Sequence, residues 1–179
     1  THNVSSAASD VYKRQLESWI THEYDEWFTV GKWRCRLHRA GHMPGACMVE
    51  IETPTHRILW SGDIDTRDSP NTYGAKPVNC DILCLEATYG GKNHPDRKVE
   101  ENRFVSAVQK IVQRGGVALV PAFASGRGQD ILRILHREAP HLNVHYDGMG
   151  TRLTRKWFDN PQHIRCLLYT SPSPRDNSG

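Results

Sequence analysis

The chain has 179 residues, with 23 Lys and Arg against 20 Asp and Glu, for a formal net charge of +3. That is a weak pull on polyanions, which neither demands nor excludes nucleic acid, while no apolar run approaches the roughly 20 residues of a membrane-spanning helix and no charged-then-apolar leader suggests secretion. The five cysteines, at 35, 47, 80, 84 and 166, form no CxxC pair, which argues against a disulfide framework or a cysteine zinc knuckle and makes a reducing cytoplasm the expected setting.

The chain begins and ends on segments without the patterns of a fold. Ser5–Gln15 and Cys166–Asp176 carry neither helical nor strand periodicity. Val11-Tyr12-Lys13-Arg14-Gln15 and Leu167-Leu168-Tyr169-Thr170-Ser171 resemble translations, on opposite strands, of the terminal repeat of a transposon-based sequencing adaptor. Residues 1–15 and 166–179 are therefore set aside from fold reasoning, a natural Ser/Pro-rich tail being the alternative. The remaining stretch is expected to be part of a longer reading frame cut at both ends.

Leu16–Val30 is aromatic and acidic and reads as a short helix or a linker. Trp33–His38 alternates apolar and polar residues, as a half-buried strand does. Cys47–Glu52 and Arg57–Ser61 read as two further strands, with Thr53-Pro54-Thr55-His56 as the turn between them. After the loop Asp68–Pro77, the apolar run Asp81–Leu85 ends at Glu86. These segments predict an antiparallel or mixed sheet with its chemistry-bearing residues at strand ends. The period then changes. Phe104, Val105, Val108, Ile111 and Val112 recur at helical spacing within Val99–Arg114, and Gly115-Gly116 closes that helix. Val117–Val120 reads as a buried parallel strand, Gly128–Glu138 as a helix, Asn143–Tyr146 as a strand and Thr151–Phe158 as a helix. This α/β alternation is the layout of a doubly wound unit, with a domain boundary near Gly90–Pro95.

Three motifs some twenty residues apart each place one chemistry-bearing side chain in a Gly-rich bend: Gly41-His42-Met43-Pro44-Gly45, Ser61-Gly62-Asp63-Ile64-Asp65 and Glu86-Ala87-Thr88-Tyr89-Gly90. His42 is either a metal ligand approached closely through its small neighbours or an ordinary turn histidine. Asp63 is either a carboxylate able to bridge two metal ions or the head of an Asx-turn, with Asp65 as its competitor. Glu86 either supports an acid or orders a water, or caps a helix or forms an ion pair. A fourth segment, Pro121–Gln129, joins an apolar run to a helix. There, free backbone N–H groups and Arg127 could hold a phosphate, or small residues simply make the turn. It lacks the GxxxxGK[ST] pattern of a nucleotide-binding loop.

Taken together these residues resemble the β-CASP group of metallo-β-lactamase-fold nucleases, over about Gly31–Gly150. His42 is similar to that family's third metal motif, Asp63 to its fourth and Glu86 to its first β-CASP-specific motif. Gly115-Gly116 through Arg127 is similar to the strand, turn and helix that open the β-CASP insert, and Asp147-Gly148-Met149 to archaeal-type members. The resemblance implies an α/β fold: a partial metallo-β-lactamase αββα sandwich followed by the start of a Rossmann-like β-CASP domain. It assigns 16–91 to the C-terminal part of the first and 92–165 to the N-terminal part of the second. It also implies a two-zinc ribonuclease acting in RNA 3′-end processing or decay, in some branches on DNA, with a metal-bound hydroxide as nucleophile. The implied substrate is single-stranded RNA, the parent is a candidate homodimer, and no membrane is involved. His42 and Asp63 would then be metal ligands, and Glu86 the catalytic support of an acid histidine. Substrate-phosphate binding by Ser125, Gly126 and Arg127 is inferred from the turn.

The family's His-x-His-x-Asp-His motif and its downstream histidine motifs are absent from this sequence. Truncation accounts for both losses, and the chain alone is then expected to be inactive, poor at binding zinc and prone to aggregate. The alternatives are a small-molecule hydrolase of the metallo-β-lactamase fold, which the helical segment after Tyr89 argues against, and a metal-free RNA-binding scaffold subunit.

Overall fold

The computed structural model describes residues 18–161 and 164–165, so the two end segments set aside above lie outside the described residues. In chain order the elements are β1 Trp27–Val30, β2 Trp33–Arg39, β3 Cys47–Glu52, β4 Arg57–Trp60, β5 Ile82–Cys84, α1 Arg97–Gln113, α2 Arg127–Glu138 and α3 Met149–Asp159. The strands form one sheet in sequential order. β1 to β4 pair antiparallel, and β5 joins β4 in parallel. Gly31, at φ +59°, takes the left-handed conformation that a two-residue hairpin requires at its first central position. Among the described residues no helix is long and apolar enough to cross a membrane.

The register sorts the strand residues into two unlike faces, because side chains alternate along a strand. On one face Arg34 pairs with Glu52, Arg36 with Glu50 and His38 with Met48. On the other, Phe28 pairs with Cys35, Cys35 with Ile51, Leu37 with Val49, Ile51 with Ile58, and Ile58 with Ile82. The charged face closes around Glu50, which is wholly buried. Its Oε2 accepts from His38 Nε2 at 2.6 Å and from Arg36 Nε and Nη2 at 3.0 and 2.9 Å. Arg57 Nε lies 3.1 Å from Oε1. A carboxylate this deep survives only with such partners. The apolar face has no described helix packed on it, and Trp60 there is 60% exposed.

Two small cores result. Ala40, Met48, Leu59 and Ala75 pack beneath the long β4–β5 connection. Val105, Val108, Ile134, Leu135 and Ala139 join α1 to α2. The connection itself is tied to both. Thr72 Oγ1 donates to the Gly41 carbonyl at 2.8 Å, and Ala75 N–H to the Asp65 carbonyl at 2.8 Å. Toward the helices, the buried Asn71 donates from Nδ2 to Asp130 Oδ1, and Arg133 donates to the Pro70 carbonyl and to Asn71 Oδ1.

Four of the six expected strands, β2 to β5, and all three expected helices are present, shifted by a residue or two at their ends. Three readings are corrected. First, between residues 18 and 30 there is no helix. Trp27–Val30 is a strand on β2, and Tyr24 bridges Leu37, so these aromatic residues serve the sheet. Second, Val117–Val120 forms no strand. Val117 and Leu119 are 82% and 88% exposed. Third, Asn143–Tyr146 forms none either. An apolar run becomes a buried strand only with a flanking ladder, and these two segments pair neither with each other nor with β1–β5. The described residues thus form a five-stranded mixed sheet followed by three helices, without a second, doubly wound sheet.

Candidate functional site

β2, β4 and β5 run in the same direction, so their C-terminal ends lie along one edge of the sheet, and the three motifs follow those ends. Backbone contacts stitch the motif loops together. Gly41 bridges Ile64, and Asp65 N–H donates to the Ala40 carbonyl at 2.9 Å. Gly41 has φ +75°, and a Cβ there would run into the Asp65 carbonyl oxygen. Only glycine therefore lets the His42 loop lie so close to the Asp63 loop. Ile64 N–H donates to Glu86 Oε1 at 3.3 Å, and Glu86 N–H to Ser61 Oγ at 3.0 Å.

The carboxylates in this cluster differ in how free they are. Glu86 Oε2 also accepts from Thr88 N–H at 2.9 Å. Hydrogen bonds from Thr88, then from the Ile64 amide, with nearby His42 adding a smaller pull, hold the Glu86 carboxyl below its ordinary value. Asp65 is clamped by Arg67, with Oδ1 3.1 Å from Nε and Oδ2 3.1 Å from Nη2. Burial pushes the Asp65 carboxyl up, but the Arg67 bonds outweigh that and leave it lowered. His42 and Asp63 are exposed and make no hydrogen bond or ion pair among the described residues. Of the two competing aspartates, Asp63 is thus the one free to bind something.

Two free donors do not make a zinc site, which takes three or four protein ligands in tetrahedral geometry. Glu86 and Asp65 are already engaged by N–H groups and by a guanidinium. Among the described residues no group of three or more His, Cys, Asp or Glu side chains converges as a metal site. The residues present therefore do not by themselves fit a metal ion.

The Ser125–Arg127 turn does come to this edge. Ser125 Oγ lies 3.5 Å from Met43 Sδ, and a Cβ on Gly126 would stand 3.6 Å from Met43 Cβ. Its N–H groups are less available than the sequence suggests. Arg127 N–H is taken by the Ser125 carbonyl and Gly128 N–H by the Phe123 carbonyl, each at 3.1 Å. Asp130 lies buried in the same first turn of α2, where a phosphate would meet a carboxylate. Burial pushes the Asp130 carboxyl up despite Arg97 beside it. The Arg127 side chain is exposed and pairs with Asp130 only at 3.9 Å, and it is the part of this turn most available to an anion.

Sequence reasoning missed the Glu50 cluster and the Asn71–Asp130 contact. The first had a signal, since alternating Arg34, Arg36, His38 face alternating Glu50, Glu52 once the hairpin register is drawn. The second joins residues 59 apart in sequence and has no local signature.

No family model matches the chain. It is 32% identical over 145 residues to RNase aCSPSF2 of Saccharolobus solfataricus, covering 79% of this chain and 30% of that protein. It is 40% identical over 124 residues to the probable RNase MJ4 of Methanocaldococcus jannaschii, covering 66% and 29% respectively. With cleavage and polyadenylation specificity factor 73 of Drosophila melanogaster it is 46% identical over 98 residues, covering 54% and 14%. The chain thus spans less than a third of the length of the curated relatives it matches.

Proposed function

We propose that this chain, a partial homologue of the β-CASP ribonucleases, is a portion of a zinc-dependent ribonuclease that hydrolyses phosphodiester bonds of single-stranded RNA. RNA 3′-end processing is the role that the cleavage and polyadenylation factor among the relatives suggests, with RNA decay the neighbouring role. The observation that carries the reading is the meeting of the His42, Asp63 and Glu86 loops at one sheet edge, within a chain matched to proteins named as ribonucleases. In the whole protein His42 and Asp63 would be two of several metal donors, the others lying outside the described residues. Glu86, kept ionised by its N–H partners, would accept a hydrogen bond from a group it positions. The exposed guanidinium of Arg127, loosely paired with Asp130 and with Ser125 and Gly126 shaping its turn, would contact a substrate phosphate.

In the same reading residues 16–91 are the C-terminal part of a metallo-β-lactamase core and 92–165 the beginning of a β-CASP domain. The open apolar face of the sheet supports this, since one layer of an αββα sandwich must be covered by the other. The test compares this chain with the complete reading frame that contains it, by zinc content and by cleavage of a labelled single-stranded RNA. The complete protein should hold zinc and cleave. His42→Ala and Asp63→Asn in it should each lose roughly a hundredfold or more in rate, with loss of metal. The 179-residue chain should do neither. Stoichiometric zinc and cleavage by the short chain, or full activity of Asp63→Asn in the complete protein, would overturn the reading.

A further inference from the structure

The cations of α1 and α2 are mostly spoken for. Arg97 pairs with Glu101 and Asp130, Lys98 with Glu138, Arg103 with Glu100, and Arg137 with Glu101 and Glu138, while Arg133 is bonded to the β4–β5 connection. α3 is different. Arg152, Arg155 and Lys156 are exposed, and none makes an ion pair or side-chain hydrogen bond among the described residues. They stand three and four positions apart, so they share one face of the helix. Asp159, at the helix end, is the acid on that face. Gly150 is buried on the opposite side.

Like charges at this spacing repel and weaken a helix rather than support it. Lys156, in the last turn, gains a little from the helix dipole, but Arg152 and Arg155 have no ion-pair partner among the described residues, and the cluster suits an external polyanion. Phe158, 61% exposed, borders the same face and offers a ring to an unpaired base. The helix is also linked to the sheet edge through its opposite side. Gln129 Nε2 donates to Thr154 Oγ1 of α3 at 3.0 Å and to the Ala124 carbonyl at 2.9 Å. The next residue, Ser125, touches Met43 beside His42.

We propose that the Arg152–Arg155–Lys156 face of α3 binds the phosphate backbone of single-stranded RNA, with a base on Phe158, and so guides the strand toward the His42 edge. The inference rests on the ribonuclease reading and adds to it a binding surface outside the motif residues.

The test is a fluorescence-anisotropy titration of a labelled oligouridylate with the full 179-residue chain across a salt series. It uses the triple variant Arg152→Gln/Arg155→Gln/Lys156→Gln. A second triple, Arg103→Gln/Lys110→Gln/Arg114→Gln, neutralises exposed cations on and just after α1 as a control. Circular dichroism checks that both fold. Each phosphate contact to a single strand contributes about 0.7 to the slope of log affinity against log salt. The α3 triple should therefore lose about 2 in slope and roughly tenfold or more in affinity at low salt. The control should change less than about twofold, and Arg152→Lys/Arg155→Lys should bind nearly as the wild type does. Phe158→Ala should weaken binding with the slope unchanged. If the wild type binds and the α3 triple binds equally, or both triples weaken alike, this face is not the site and the ribonuclease reading stands. If duplex RNA binds tighter than the single strand, the proposal also falls. If the wild type binds no RNA, the α3 proposal falls, while the ribonuclease reading stands or falls on zinc content and cleavage by the complete protein.

Discussion

Glu50 is the residue on which the charged face of the sheet depends. It is wholly buried and gathers His38, Arg36 and Arg57. His38 reaches outward from it, its Nδ1 lying 3.1 Å from Asp25 Oδ1. Removing the carboxylate leaves cations without a counter-charge in a desolvated place. Glu50→Ala should cost about 3–5 kcal/mol, read as a drop in the urea midpoint at pH 7. Burial pushes the Glu50 carboxyl up, but the bonds from His38 and Arg36 more than offset it and leave it below its ordinary value. A carboxyl lowered in the folded state stabilises the fold above the ordinary carboxylate pKa, near 4.3, and loses that contribution as pH falls through its folded value. Urea midpoints taken from pH 7 down to pH 3 should therefore fall in the wild type and fall less in Glu50→Gln. The motifs around His42, Asp63 and Glu86 marked in the sequence the three loops that the structure brings together. That Asp65 is engaged and Asp63 is not was illegible there, because the Arg67 side-chain clamp on Asp65 leaves no trace in the spacing.

At the scale of elements, periodicity located what local sequence controls. α1 was visible in Phe104, Val105, Val108, Ile111 and Val112, but its start was not. The helix begins two residues before the expected Val99, because Asp96 caps it, Oδ1 accepting from Val99 N–H at 2.9 Å. Asp96→Ala should cost about 1 kcal/mol, measurable as a lowered thermal midpoint with faster amide exchange confined to the first turn of α1. β2 and β3 were legible because alternation and a buried face coincide there. Val117–Val120 was misread because an apolar run states a need for burial without naming a partner. Among the described residues no strand flanks it: Ala118 packs on the α1–α2 core, but Leu119 stands in solvent.

At the scale of the whole molecule, the described residues form two small cores joined by polar contacts rather than by a shared apolar interior. Its sheet keeps one apolar face open, with Trp60, Ile82 and Leu85 between 44% and 60% exposed around the β4–β5 edge. Such a patch drives association. The chain should bind a hydrophobic dye and elute as oligomers whose size rises with concentration. Trp60→Lys combined with Ile82→Lys should shift it toward monomer in analytical ultracentrifugation, whereas unchanged oligomers would place the association elsewhere.

The β4–β5 connection acts as the splice between these cores. Surface loops ordinarily accept insertions at little cost. This one has its length fixed at both margins, Thr72 gripping the backbone of Gly41 while Asn71, one residue away, grips Asp130 of α2. One added residue there would put the two grips out of phase, sliding the Ser125–Arg127 turn away from Met43. Gain and loss of residues should therefore be tolerated around Lys92–Pro95, where no such double anchorage exists, and selected against between Ser69 and Ala75.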